Sequence, residues 1–258
     1  MELQGRRAVV TGGSRGIGRA VALALARAGA SVVVTARSAD AIQEVAGELQ
    51  ALGAHAEAIP CDVTDPDQVQ ALAQGAAKAL GSVDILVNNA GASGSAPIQR
   101  LTLDEWDRML RVNATGPFLC TRAFLPAMIE RGWGRIVTVA SVAGLRGGRY
   151  IAAYAASKHA VLGLVRSAAL EVAPTGITVN AVCPGFVDTP MTRESVARIV
   201  EKTGRTEREA LEAILESSAQ RRLVTPEELA GAVLFLCGEE ARGINGEALV
   251  IDGGGPTA

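Results

Sequence analysis

The sequence predicts a doubly wound α/β domain, with about seven parallel strands forming a sheet and helices covering both faces. Three observations carry this reading. Short β-branched runs alternate along the chain with segments of 3.6-residue apolar rhythm. The composition is 48% apolar with only 3% aromatic residues and 29 glycines, which suits close-packed helices on a sheet better than an aromatic-rich sandwich. A glycine-rich turn, "TGGSRGIG" at 11–18, links the first such run to the first helical segment. A length of 258 residues fits one domain of this class, spanning 1–258, and no repeat or linker divides it.

"RRAVVTG" at 6–12 reads as the first strand, and "IGRAVALALARAGA" at 17–30 as a helix ending at Gly29. "SVVVTA" at 31–36 is the second strand. A helix near 38–52, a strand near 54–61, a helix near 65–80 and the strand "VDILVNNAG" at 83–91 continue the alternation, which implies right-handed crossovers. A long helical region covers about 102–131. "GRIVTVAS" at 134–141 is a strand, followed by a loop and a helix over about 150–173. "GITVNAVCPG" at 176–185 is a further strand, Thr225 and Pro226 open a helix, and "GEALVIDGG" closes with a strand.

One segment breaks the alternation. Residues 191–222 are charged and read as two helices separated at Gly204, the second opened by a Thr206-x-x-Glu209 capping box. Following directly on the Pro184-Gly185 strand end, this pair suits a helical flap over a ligand; a surface or oligomer contact is the alternative.

The formal charge of −2 gives no reason to expect nucleic acid as a partner. Cys61, Cys120, Cys183 and Cys237 are far apart and read as buried thiols, not as a zinc site or disulfide framework. No His/Cys/carboxylate cluster suggests a metal. No apolar run is long enough to span a bilayer, so a soluble cytoplasmic protein without membrane partners is expected.

The glycines at 12, 16 and 18 depart from G-x-G-x-x-G, yet serve the same need: amides unshielded by a Cβ at a helix N-terminus that attracts pyrophosphate. Gly12, Ser14, Arg15, Gly16, Ile17 and Gly18 are therefore cofactor-binding candidates. After the second strand, where an NAD-binding chain places a carboxylate for the ribose 2′-hydroxyl, stands Arg37. Arg37, with Arg15 as a second guanidinium, favours the 2′-phosphate of NADP(H) over NAD(H).

Tyr154 and Lys158 lie four residues apart on one helix face, and Ser141 ends a strand at the edge where such sheets bind ligands. An ammonium beside a phenol is expected to lower the tyrosine pKa toward neutrality. The three groups thus form a candidate acid–base site for a carbonyl. His159, on another face of the same helix, and His55 read as non-catalytic.

These features, with "CDV" at 61–63, "NNAG" at 88–91, Asn113 in "RVNATG", "YAASK" at 154–158 and "NAVCPGFVDTPM" at 180–191, resemble the short-chain dehydrogenase/reductase family over nearly the whole chain. The resemblance implies a Rossmann fold and a homotetramer. It implies that Asp62 and Val63 hold adenine, that Asn89, Ala90 and Gly91 line the adenosine side, that Val187 and Thr189 contact the nicotinamide carboxamide, and that Pro184 and Gly185 also bind the cofactor. It makes Tyr154 the proton donor, Ser141 the group that holds the carbonyl oxygen, Lys158 the ribose ligand and Asn113 the support of a water relay. Within the family the likeness is to 3-oxoacyl carrier-protein reductases, aromatic polyketide ketoreductases and 3-hydroxyacyl-CoA dehydrogenases. The expected substrate is therefore a 3-oxoacyl or 3-hydroxyacyl thioester on coenzyme A or an acyl carrier protein. Arg146, Arg149 and Arg193 lie near the expected cleft mouth, either as ordinary surface arginines or as partners for the phosphates of coenzyme A or an acidic carrier. An NAD-linked dehydrogenase of a small alcohol, hydroxy acid or sugar is the alternative. A non-catalytic dinucleotide-binding module would be expected to lack the tyrosine or the lysine.

Overall fold

The computed structural model describes residues 2–216 and 218–255. Its centre is a seven-stranded parallel sheet in the order β3-β2-β1-β4-β5-β6-β7. The strands are β1 (Arg7–Thr11), β2 (Ser31–Thr35), β3 (Ala56–Ala58), β4 (Ile85–Asn88), β5 (Gly134–Val139), β6 (Ile177–Pro184) and β7 (Ala248–Ile251). Strand order reverses between β1 and β4. Loops leaving the two strands in opposite directions open a crevice at their carboxyl ends, where ligands bind in this architecture.

Alternation along each strand sends successive side chains to opposite faces. Ala8, Val10, Ile85 and Val87 join one core with α1 (Gly16–Arg27), α2 (Ala39–Ala51) and α9 (Pro226–Cys237). Val9 and Leu86 join the other, with α3 (Pro66–Leu80), α5 (Gly116–Arg131) and α6 (Ala152–Val172). Both faces are thus dry, which is why the strands read as continuous aliphatic runs.

Three sequence expectations shift. The strand expected near 54–61 shortens to three residues, and that expected over 83–91 pairs only as far as Asn88, so Asn89, Ala90 and Gly91 are released into the crevice. The helical region near 102–131 divides into α4 (Leu103–Leu110), a π-helical turn at Arg111–Thr115 and α5. Asn113 sits in that turn, a local widening common at functional sites.

The charged segment does form two helices, α7 (Pro190–Thr203) and α8 (Glu207–Leu215), with Gly204 left-handed between them and the Thr206/Glu209 capping box in place. Among the described residues no helix is long and apolar enough to cross a membrane.

Candidate active site

The turn after β1 is shaped by its glycines. Gly12 and Gly16 have positive φ, and a Cβ on Gly18 would lie 2.3 Å from the Gly12 carbonyl oxygen. Only glycine lets the chain fold back this closely. The side chain of Arg15, at the N-cap of α1, does not cap the helix, whose first turn holds no acid. Its amides therefore face the crevice bare, and the chemistry fits an anionic pyrophosphate.

Asn89 braces this turn, its side-chain amide donating to the carbonyls of Thr11 (2.9 Å) and Gly12 (3.0 Å). Ala90 packs against the same turn, since a Cβ on Gly12 would meet its Cα at 2.8 Å. From the opposite lip, the Thr189 methyl comes within 3.2 Å of the position a Cβ on Gly16 would occupy. Val187 is buried, and the Thr189 hydroxyl donates to its carbonyl at 3.4 Å. Gly185, just past Pro184, leaves room for Asp252. Asp62 accepts from the Thr64 amide and hydroxyl at 2.9 and 2.8 Å, while Val63 packs under Gly116. Arg37 is exposed with no ion-pair partner among the described residues. Arg15 reaches Glu194 on α7 at 3.5 Å. The sequence-selected residues thus fall along one path from β2 to β6, and their donor chemistry fits a dinucleotide.

Ser141 follows β5 and caps a short 3-10 turn, its hydroxyl oxygen accepting from the Ala143 amide at 3.1 Å. Ser141 and Tyr154 line one cleft of about 820 Å³. Lys158, buried one turn along α6, donates to the Val139 carbonyl at 2.9 Å, and its ammonium is 5.8 Å from the Tyr154 ring centre. Here the electrostatic expectation fails. Burial pushes the Tyr154 phenol above its ordinary value; the Ser141 hydroxyl pulls it partly back and Cys183 pushes it further up. Burial also depresses Lys158, to about 8. The lysine is held by a carbonyl rather than by the phenol, so desolvation dominates both groups.

Asn113 is spent on structure. Its side-chain oxygen accepts from the Ala92 amide at 2.9 Å, and its amide donates to the Ala92 carbonyl at 2.9 Å and to Ser157 Oγ at 3.0 Å. Ser157 in turn donates to the Tyr154 carbonyl at 2.7 Å. Sequence reasoning does not single out Ser157, although it lies inside "YAASK"; a serine on an apolar helix face is the available signal. A Cβ on Gly91 would lie 3.3 Å from Asn113 Oδ1 and 3.9 Å from Lys158 Nζ, so Gly91 marks where these groups approach.

Arg146 and Arg149 line the cleft, whereas Arg193 does not: it is exposed and paired with Asp188 at 2.8 Å. Arg198 and Lys202 of α7 take the place it was expected to fill. Asp252, just past β7, also lines the cleft and accepts from the Gly254 amide. All four cysteines are buried and free, Cys183 among the groups that shift Tyr154. His55 and His159 are exposed. No metal-binding cluster occurs among the described residues.

Residues 6–199 match the short chain dehydrogenase family. The chain is 39% identical over 254 residues to the 3-oxoacyl acyl-carrier-protein reductase of Escherichia coli, covering 98% of each. It is 37% identical over 252 residues to the D-beta-hydroxybutyrate dehydrogenase of Rhizobium meliloti, covering 96% of this chain and 98% of the relative. Among solved structures, a single-substitution form of actinorhodin polyketide ketoreductase with NADPH superposes with a TM-score of 0.94 at 38% identity, covering 98% of each chain. Sequence pattern, strand order and relatives agree from end to end, and the chain belongs to the short-chain dehydrogenase/reductase family of oxidoreductases.

Proposed function

We propose that this chain is an NADP(H)-linked ketoreductase acting on a 3-oxoacyl thioester, or on the matching 3-hydroxyacyl thioester in reverse, carried on coenzyme A or an acyl carrier protein. One observation carries the reading: Ser141 and Tyr154 face one large cleft from separate elements, with Lys158 buried one helical turn behind the phenol. The Ser141 hydroxyl donates to the substrate carbonyl oxygen and fixes its direction. Tyr154 donates the proton to the same oxygen, and its raised pKa keeps that proton on the phenol until the oxygen becomes basic. Lys158 holds the nicotinamide ribose. The bound cofactor supplies the hydride.

Asn113 acts by position, tying the Ala92 loop to Ser157 and hence to the backbone of Tyr154. With both amide hydrogens of that side chain engaged, a proton relay at this residue uses its main chain, whose ordinary helical pairing the π-helical turn interrupts. On the cofactor side, Arg37 lacks a carboxylate partner among the described residues and takes the 2′-phosphate, which supports NADP(H) over NAD(H). The relatives named as a 3-oxoacyl reductase and a polyketide ketoreductase support the substrate class.

A second reading, an NAD-linked dehydrogenase of a small hydroxy acid, is favoured by the hydroxybutyrate dehydrogenase relative. Purified protein assayed with NADPH and NADH against acetoacetyl thioesters, longer 3-oxoacyl thioesters, cyclic ketones and free 3-hydroxybutyrate separates the two. The proposal expects the highest kcat/KM for a thioester with NADPH. Preference for NAD and 3-hydroxybutyrate overturns it.

A further inference from the structure

The cleft is lined by five cations among the described residues, Arg146, Arg149, Arg198, Lys202 and Arg222, and by one acid, Asp252. Arg222 is neutralised by a two-point contact with Glu228, at 2.7 Å on each branch. None of the other four is ion-paired among the described residues, in a chain whose net charge is −2. An excess of unpaired positive charge in a concave wall raises the local concentration of anions and the affinity for them.

Arg198 and Lys202 are four residues apart on α7 and share one helix face. Arg198 is half-buried and donates only to neutral partners, Ser195 Oγ at 2.8 Å and Ser93 Oγ at 3.2 Å. Lys202 donates to the Ser95 carbonyl at 3.3 Å. Each cation thus spans from α7 to the loop after β4 and keeps donors free. Arg146 and Arg149 stand on the segment between Ser141 and α6.

We infer that Arg198 and Lys202 form an anion subsite in the substrate cleft, and that this enzyme selects ketones carrying a carboxylate or phosphate group away from the reacting carbonyl. This rests on the ketoreductase reading above and deepens it. The guanidinium of Arg198 presents paired N–H groups to either oxyanion, and Lys202 adds charge on the same face.

The test compares kcat/KM with NADPH for three ketones: the neutral N-acetylcysteamine thioester of acetoacetate, acetoacetyl-coenzyme A and free acetoacetate. It uses the parent, the double variant Arg198→Gln/Lys202→Gln, and Arg198→Lys. Glutamine at 198 removes the charge and, ending two bonds short of the guanidinium nitrogen that meets Ser93 Oγ, the brace as well, so Arg198→Lys, which keeps the charge without the guanidinium, separates charge from bracing. The ratio of anionic to neutral kcat/KM is expected to fall about tenfold or more in the double variant, chiefly through KM, and to recover largely in Arg198→Lys. In the parent the same ratio should fall as salt rises. A loss confined to acetoacetyl-coenzyme A assigns the anion as phosphate, and one confined to acetoacetate assigns it as carboxylate. Equal ratios in parent and double variant overturn the subsite, as does a parent ratio indifferent to salt, which decides the matter if the double variant does not fold. Calorimetric binding of coenzyme A and acetoacetate to the NADPH-loaded proteins adds a readout without turnover. If no ketone is reduced, the ketoreductase reading fails, while undiminished anion binding by the double variant separately overturns the subsite.

Discussion

Lys158 brings an ammonium into a buried site, and its pKa of about 8 makes it a source of pH-dependent stability. Between that value and about 10.4 in the unfolded chain, the unfolded state holds more protons than the native one, so this group adds stability as pH rises through the window. Cys61, Cys120 and Cys237, raised to about 11, 12 and 12, act in the opposite sense above their unfolded values. The lysine is therefore isolated by difference: the melting temperature of the parent minus that of Lys158→Met should climb with pH over this window, and a flat difference contradicts the depressed pKa. Arg37→Asp should invert the coenzyme preference, because a carboxylate accepts from a ribose diol and repels a phosphate; the ratio of kcat/KM for NADPH to that for NADH should drop by about tenfold or more. The shared face of Tyr154 and Lys158 was legible because four-residue spacing on a helix fixes it whatever the surroundings, and Ser141 was legible as a strand end. The direction of the Tyr154 shift was not, since it depends on burial and on a lysine turned toward the Val139 carbonyl. Arg135 shows the same limit: the second residue of β5, it is 2% exposed and stacks 4.4 Å from the Trp133 ring centre, a burial that its charge does not announce.

At the scale of elements, the turn between β1 and α1 tolerates no side chain at Gly18. Gly18→Ala puts a methyl 2.4 Å from the Asn89 amide nitrogen and closer still to the Gly12 carbonyl oxygen, so the turn must shift. We expect a loss of about 1–3 kcal/mol, read by denaturant unfolding, together with weaker NADPH binding. Helices α7 and α8 were legible down to the Thr206 capping box, because caps and glycine breaks are local signals. The π-helical turn at Asn113 was not: its widened register answers to packing, with Asn113 bonded to Ala92 and Ser157 far along the chain. We propose that α7 and α8 act as a flap. Their polar contacts across the cleft rim include Arg15–Glu194, Arg198–Ser93 and Lys202–Ser95, each of few atoms. Hydrogen exchange over residues 190–215 should slow when NADPH and substrate bind; equal strong protection with and without them would mean a fixed contact.

For the whole molecule, the sheet and both cores were readable from alternation, but the outer surface carries information that one chain cannot spend alone. Phe118 and Leu170 are 43% and 80% exposed on α5 and α6, and Leu103 is 72% exposed on α4. We propose a homotetramer that buries these helices between subunits, and light scattering at micromolar concentration should return four chains, not one. The central claim, that Tyr154 is the proton donor of a carbonyl reduction, is reached most directly by Tyr154→Phe. NADPH affinity and turnover of acetoacetyl-coenzyme A are measured on the same preparation. Because the substitution removes only the phenolic hydroxyl from the cleft, affinity should stay near that of the parent while kcat falls by about 10²–10⁴-fold. Turnover within about threefold of the parent, with cofactor bound normally, would contradict the account.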